Sequence, residues 1–357
     1  MFPAALRMTR NTVMKLLKIS SRVIRNFPFD QRYLIGVSGG RDSIALLHWL
    51  INLGYKKLVV CHLNHQLRGR SSDVDARFVQ KVVEHYNQEF VAQTPRAPRK
   101  RTGKRGACPK PHRRDFHFQV VAANVRALAR RQKMSIETAA REARYKFFAD
   151  TARRRKCRTI FLAHHADDVV ETFLINLFRG AGFTGLAGMR EISIRRMDDI
   201  DLAIVRPLLG AWRKDIDAYV SKHRLTFRED ASNQDLNPVR NRIRHRVIPY
   251  LEKILGRNIR PAIWRAATIA GEEEAWIEKQ FPHSSDAQYS AAQLRELPVA
   301  VQRRVILRWL RAQRISEISF DVIERVRSLV DHDADTAKVN LPKDRHARRR
   351  SGKIFIE

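Results

Sequence analysis

The chain has 357 residues, of which 44% are hydrophobic and 8% aromatic, enough to form the cores of two or three globular domains. Its formal net charge of +32, from 69 Lys and Arg against 37 Asp and Glu, favours a polyanionic partner such as nucleic acid over a merely solvated basic surface. Three cysteines without a CxxC pair argue against a disulfide framework and against a zinc or iron–sulfur site, and no apolar run reaches the roughly 18 to 20 residues of a membrane span.

The first 30 residues are predicted to form a basic N-terminal helix. Residues 1–29 contain no acid, and their apolar positions predict an amphipathic helix that packs on the following domain. An organelle transit peptide has the same composition, so import remains an alternative to the cytoplasmic location that the cysteine usage favours. Met8 and Met14 leave the true start open.

From Arg32 the sequence alternates short apolar runs with longer helical stretches. The runs YLIGV (33–37), KLVVCHL (57–63) and TIFLAH (159–164) are typical of buried strands, and helical spacing lies between them. This order predicts an α/β domain over residues 31–227, with helices on both faces of a parallel sheet. The acid-free, basic segment 94–114 interrupts it and is predicted to be a surface loop, which either contacts RNA phosphates or is a tolerated insertion.

A second, smaller and mainly helical domain is predicted over residues 228–357. We expect Asn237 to cap a helix with Pro238 at its first position, and this helix would carry Arg240 and Arg244. Residues 259–330 read as all-helical, and the basic end of the chain reads as a hairpin.

The turn after the first predicted strand has the features of a phosphate cradle. Ser38, Gly39, Gly40, Arg41, Asp42 and Ser43 lie where the strand gives way to a helix, so free backbone N–H groups and the helix dipole favour an anion there. The glycines permit positive φ, and Asp42 and Ser43 can hold Mg²⁺ or a phosphate oxygen. A structural turn with a capping serine is the alternative. A second glycine string, Gly180, Gly182 and Gly185, follows a helix and therefore lacks the context of a dinucleotide site.

Polar side chains follow two other predicted strands. TIFLAH ends in His164 and is followed by His165, Asp167, Asp168 and Glu171. HLNHQLRG brings His65 and Arg68 to the same edge of the sheet, where open α/β sheets bind ligands. The carboxylates either cap a helix or hold magnesium or an ammonium group. A zinc site is disfavoured because adjacent histidine side chains usually point apart.

Six motifs, taken in order, resemble those of the tRNA(Ile)-lysidine synthetase family, a branch of the PP-loop ATP pyrophosphatase superfamily. They are SGGRDS (38–43), HLNHQLRG (62–69), AAREARY (139–145), the long block 162–189 that begins LAHHADDVVET, RPLL (206–209) and REDASNQDLNPVRNRIR (228–244). The insert at 94–114 departs from the family pattern, and the chain ends near where the short family forms end. The resemblance implies an adenine nucleotide α-hydrolase-like fold.

The resemblance implies a ligase that uses ATP with Mg²⁺, L-lysine and an isoleucine tRNA with a CAU anticodon. The cytidine C2 oxygen would attack the ATP α-phosphate, and lysine would then displace AMP. Asp42 would hold the metal, and His65, Glu137 or Asp168 would take the proton from lysine. Substrate contacts would come from the remaining motif residues, Arg68, Arg141, Arg144, His164, Glu171, Arg206, Arg240 and Arg244.

Other readings remain open from the sequence. Glu137, Arg141, Arg144 and Tyr145 share a helix face, which could equally be solvated and held by ion pairs. A catalytically silent tRNA-binding protein or another PP-loop tRNA-modifying enzyme, such as a thiolase, would use the same fold. The oligomeric state is open, with a homodimer as one option.

Overall fold

The computed structural model describes residues 25–67, 70–93, 116–229, 235, 237–280, 288–315, 318–331 and 337–357. The predicted N-terminal helix over residues 1–30 lies almost wholly outside these ranges, and so do the basic insert 94–114 and Arg68.

A six-stranded sheet forms the centre of the first part of the chain. Its strands are β1 (Arg32–Gly36), β2 (Lys57–Asn64), β3 (His117–Ala122), β4 (Thr159–Phe161), β5 (Ile192–Met197) and β6 (Ile200–Val205). Their order is β3-β2-β1-β4-β6-β5, and every neighbouring pair is parallel except β5 with β6. The predicted α/β class is therefore confirmed, with one antiparallel strand at an edge.

Several helices lie along the described sequence between residues 41 and 222. They are α1 (Arg41–Leu53), α2 (Arg70–Gln93), α3 (Val125–Gln132), α4 (Ile136–Arg155), α5 (Ala166–Phe178), α6 (Phe183–Leu186) and α7 (Arg213–Lys222). Alternation along β1 divides the core: Tyr33 and Ile35 pack in one cluster with α1 and α7, and Leu34 packs in the other with α4. Side chains of a strand point alternately to its two faces, so both faces of this sheet are covered.

Two local predictions for the second half of the chain are wrong, and the predicted terminal hairpin is part of a larger sheet. The helix α8 (Val239–Arg242) begins one residue later than predicted, because Pro238 has extended backbone (ψ 133°) and itself occupies the cap position. Residues 259–330 are not all helical, since β7 (Gln288–Ser290) pairs antiparallel with β10 (Lys353–Ile356). The predicted terminal hairpin is therefore larger: β8 (Lys338–Leu341) and β9 (Arg345–Arg350) complete a four-stranded sheet of order β7-β10-β9-β8.

The remaining elements complete the chain. A π-helical turn (Ile243–Val247) links α8 to α9 (Ile248–Leu255), and α10 (Arg260–Gln280), α11 (Ala291–Arg295), α12 (Val299–Ala312) and α13 (Phe320–Ser328) follow. None of the helices within the described ranges is both long and apolar enough to cross a membrane.

By their contacts, the residues fall into two compact units. The first takes in residues up to Ile175 and Ala187–Ile269, and the second takes in Asn176–Leu186 and Ala270–Glu357. The second has its own core, in which Trp309, Leu310 and Val326 pack with Ala347 and Ile354. This division differs from the predicted boundary near residue 228, which remains a prediction.

Candidate active site

The turn between β1 and α1 is built as an anion cradle. Gly39 has φ of +93°, a conformation that costs a side-chain residue free energy, and α1 begins at Arg41 after the cap residue Gly40. The Ser43 hydroxyl donates to the Gly40 carbonyl (2.8 Å), and the Gly40 N–H donates to Ser38 Oγ (3.2 Å). The turn thus gathers two hydroxyls and the N-terminus of a 13-residue helix at one place, which favours a phosphate.

This turn opens into a cavity of about 620 Å³. The cavity brings together residues from β1, β2, the segment that follows β4, α4, α5 and the π-helical turn, so the carboxyl edge of the sheet forms the site, as expected for open α/β sheets. Eleven of the sequence-predicted site residues line it: Ser38, Gly40, Arg41, Asp42, Ser43, His65, Arg141, Arg144, His164, Asp168 and Arg244.

A buried histidine lies among three carboxylates beside the cradle. His165 Nε2 is 3.7 Å from Asp42 Oδ2 and 3.7 Å from Asp168 Oδ2, and its Nδ1 is 3.6 Å from Asp167 Oδ2. Burial lowers the pKa of His165, but the three negative charges outweigh it, and the net pKa is raised. Because its cation is favoured here, His165 balances the carboxylates and holds them close together.

Both aspartates that follow His165 are held ionised. Burial alone would raise their pKa values, but His165 and neighbouring hydrogen bonds lower the pKa of Asp167 and of Asp168. Asp167 accepts from the backbone N–H of Arg213 (2.9 Å) and from Arg260 Nη1 (2.8 Å). Asp167 is therefore fully engaged by the protein, and Asp168 is the member of the pair that lines the cavity.

A buried ion pair between Glu171 and Arg244 lies next to the cavity. The Glu171 side chain is fully buried and accepts from Arg244 Nε (2.6 Å) and Nη2 (3.0 Å). Burial raises the pKa of Glu171, and the Arg244 guanidinium opposes this rise. Arg240 donates to Thr172 Oγ1 (3.0 Å), and its Nη1 is 3.7 Å from Asp168 Oδ1. Glu171 and Arg240 do not line the cavity themselves. They contact Arg244 and Asp168, which do, and so fix the positions of these two side chains.

The other two predicted histidines, His164 and His65, also line the cavity. Burial, together with Arg206, Arg240 and Arg144, lowers the pKa of His164 against the opposing charge of Asp168. His65 Nε2 accepts from Arg144 Nη2 at 3.5 Å. A neutral imidazole can accept a proton, whereas a protonated one cannot.

Besides Gly39, Glu171 and Arg240, two predicted site residues that the structure describes do not line the cavity. Glu137 is exposed on the first turn of α4, while Arg141, Arg144 and Tyr145 of the same helix do line the cavity. Arg206 is only 5% exposed, and its Nη1 donates to the Arg190 carbonyl (2.7 Å) and to Ser193 Oγ (3.0 Å). Arg206 therefore holds the chain around β5, and a direct contact with substrate does not follow from its position.

Sequence reasoning assigned no chemistry to several residues that line the cavity. These are Asp75, Arg213, Phe227, Arg228 and Glu229, together with Tyr145. The only signal for two of them, Arg228 and Glu229, was the motif REDASNQDLNPVRNRIR, which they begin.

Comparison with known families identifies the chain's relatives. The PP-loop domain family matches residues 9–251, and the TilS substrate binding domain matches residues 290–355. The tRNA(Ile)-lysidine synthase of Chlorobaculum tepidum is 32% identical over 313 residues, which cover 84% of this chain and 83% of that protein. The chain belongs to the tRNA(Ile)-lysidine synthase family.

Within this family the chain covers different shares of its relatives. The tRNA(Ile)-lysidine synthase of Geobacter sulfurreducens is 34% identical over 88% of this chain, and the chain spans 62% of that protein's length. Among solved structures, the U34-tRNA thiolase NcsA from Methanococcus maripaludis superposes with a TM-score of 0.50 at 17% identity, covering 74% of this chain and 76% of that one. This likeness supports the fold alone.

Proposed function

We propose that this member of the tRNA(Ile)-lysidine synthase family ligates L-lysine to C2 of the wobble cytidine of an isoleucine tRNA with a CAU anticodon, using ATP. The observation that carries the proposal is the position of the phosphate cradle, which shares one cavity with Asp42, Asp168, His65 and a group of arginines. The family membership and the names of its relatives give the substrate class.

Nucleotide activation is the first step of the proposed reaction. The cytidine C2 oxygen attacks the ATP α-phosphate, and the bond to the β,γ-pyrophosphate breaks. The leaving pyrophosphate carries the charge that the turn at residues 38–43 is suited to stabilise, through its helix N-terminus and its two serine hydroxyls. AMP remains linked to the base.

Attack by lysine is the second step. Its ε-amine forms a bond to C2, AMP leaves with the electrons of the C2–O bond, and the nitrogen loses a proton. Of the three residues considered for this proton, His65 and Asp168 line the cavity, and Glu137 does not. Asp168 is ionised and can pair with the lysine ammonium, and the ring of His65 is the candidate to accept the proton.

The donor set fits a magnesium ion bound together with a nucleotide. Among the residues that the structure describes, no group of three or more His, Cys, Asp or Glu side chains is arranged to hold a metal by itself. Magnesium typically takes one or two carboxylates and completes its shell with phosphate and water. Asp42 fits this role because its buried Oδ1 has no hydrogen-bond partner. The ion would neutralise phosphate charge.

Incorporation of labelled lysine into an unmodified isoleucine tRNA transcript with a CAU anticodon tests the proposal. We expect incorporation that depends on ATP and falls at least about a hundredfold in Asp42→Asn, as for other groups that stabilise transition-state charge. Asp201→Asn is the matched control, because Asp201 lies on β6 and pairs only with the exposed Arg196 among the ion pairs described (3.1 Å).

Two outcomes would count against this function. Tight tRNA binding without any ATP consumption would favour a catalytically silent tRNA-binding protein. ATP consumption that transfers no lysine would favour another PP-loop reaction on tRNA.

A further inference from the structure

Three consecutive residues that follow α7, Phe227, Arg228 and Glu229, contact the phosphate cradle through both main chain and side chains. We propose that they form a brace that fixes the orientation of the cradle's peptide groups, with Arg228 as its positioning residue. This inference rests on the proposed function, because it assumes that the cradle binds the phosphates of ATP.

The main-chain contact acts on the turn itself. The Arg228 N–H donates to the Gly39 carbonyl at 3.0 Å. The peptide unit that joins Gly39 to Gly40 is planar and trans, so its carbonyl and its N–H point in opposite directions. A carbonyl fixed by Arg228 therefore directs the Gly40 N–H to the other side, where it now donates to Ser38 Oγ. Gly39 needs such a restraint because glycine has the most backbone freedom of any residue.

The Arg228 side chain anchors the brace to α2. Its Nε forms an ion pair with Asp75 Oδ1, whose side chain is only 12% exposed. Charge-assisted hydrogen bonds of this kind are roughly twice as strong as neutral ones. The pair places the backbone of residue 228 next to the turn, although neither side chain belongs to the turn.

Arg41, the first residue of α1, also contacts residues 227–229. Its Nη1 is 2.6 Å from Asp217 Oδ1, its Nη2 is 3.3 Å from Glu229 Oε1, and its guanidinium lies 4.8 Å from the centroid of the Phe227 ring. Two carboxylates already balance its charge. We therefore assign Arg41, which the sequence grouped with the nucleotide ligands, to the brace as well.

The brace makes a specific prediction about kinetics. Loosening it leaves every group of the cradle present but lets the Gly40 N–H turn away, so phosphate should bind less tightly. The cradle holds the phosphates both in bound ATP and as pyrophosphate leaves, so loosening it weakens the ground state and the transition state together. The effect should fall on KM for ATP and on the dissociation constant, with kcat largely retained.

Arg228→Gln, Asp75→Asn and the double variant test this in the full-length chain. Calorimetric titration with pyrophosphate and with a non-hydrolysable ATP analogue should give about tenfold weaker binding for each single variant, the loss expected from about 1.4 kcal/mol of hydrogen bonding. The double variant should be no weaker than the weaker single variant, because both remove the same ion pair. Arg228→Lys should recover most of the affinity, and Asp201→Asn should bind like the wild type.

Three results would overturn the brace. One is unchanged affinity in folded Arg228→Gln and Asp75→Asn, as judged by circular dichroism and melting temperature. Another is a fall in kcat at constant KM, which would place Arg228 in the chemistry. The third is additive losses in the double variant. If the wild type itself binds neither ligand, the proposed function fails together with the brace. If the wild type binds and the variants bind just as tightly, the brace alone is refuted.

Discussion

His48 on α1 should make the protein sensitive to acid. The ring is 3% exposed, with Nδ1 2.8 Å from the Tyr219 hydroxyl and 3.1 Å from Asn52 Nδ2. The rings of His223, after α7, and of Tyr86, on α2, lie 4.8 and 6.1 Å away between centroids. Burial, with a smaller contribution from His223, lowers the pKa of His48 to about 3.

The size of the effect follows from proton linkage. The folded pKa lies below the unfolded value of 6.5, so the unfolded state binds more protons, and stability that is present above pH 6.5 is lost as the pH falls toward 3. Between pH 7 and pH 5 this one group should cost about 2 kcal/mol of unfolding free energy. Burial also lowers the pKa of His223, to which Lys222 adds, so its contribution has the same sign.

Urea unfolding of the wild type and His48→Gln at pH 7 and pH 5 tests this reasoning. The glutamine keeps a polar partner for Tyr219 but does not titrate. The wild type should lose about 2 kcal/mol more than the variant between the two pH values. Equal losses in the two proteins would show that His48 is not held neutral by its surroundings, and the argument from burial would be wrong.

Three further perturbations follow from the structure. Glu171→Gln leaves Arg244 without its bidentate partner. Breaking a buried ion pair costs roughly 3 to 5 kcal/mol, so the melting temperature should fall clearly, and an unchanged melting temperature would contradict this reasoning. Gly36→Ala would place a Cβ 2.7 Å from Leu162 Cδ2, so calorimetric melting should reveal about 1 to 3 kcal/mol of overpacking, and wild-type stability would mean that Leu162 moves aside freely. Affinity for tRNA, measured by filter binding, should fall by roughly a thousandfold between 50 and 200 mM salt if about six phosphates are contacted, and a flat salt dependence would exclude such contacts.

Local sequence patterns predicted the parts of this molecule that depend on local physics. An apolar run that ends in Ser38-Gly39-Gly40 and continues into a helical period fixes both a strand-to-helix turn and its anion-binding character. The central strands were found for the same reason, because runs of buried aliphatic residues are long enough to be distinctive. The three-residue strand β7 carries no such pattern and depends on its pairing with β10.

The site details that the sequence missed are long-range pairings. The bond from Arg228 to Gly39 and the ion pair of Arg244 with Glu171 each join residues far apart in the chain, and no local spacing encodes them. Arg206 illustrates the opposite problem. Arginines are almost never fully buried, so the sequence favoured an exposed contact, and only the fold shows the carbonyl and hydroxyl that accept from its Nη1.

The order of strands in the large sheet also bears on how the protein is made. β1 lies inside the sheet, between β2 and β4, yet the residues that pair with its second edge, Ile160 and Phe161, come more than a hundred residues later. At about 5 to 20 residues per second, the ribosome needs on the order of ten seconds to supply them after β1 has emerged. During that interval an apolar strand has an open edge, the usual template for mispairing between chains. Newly made chains should therefore depend on chaperones, or on a low concentration of other nascent chains, until β4 has emerged.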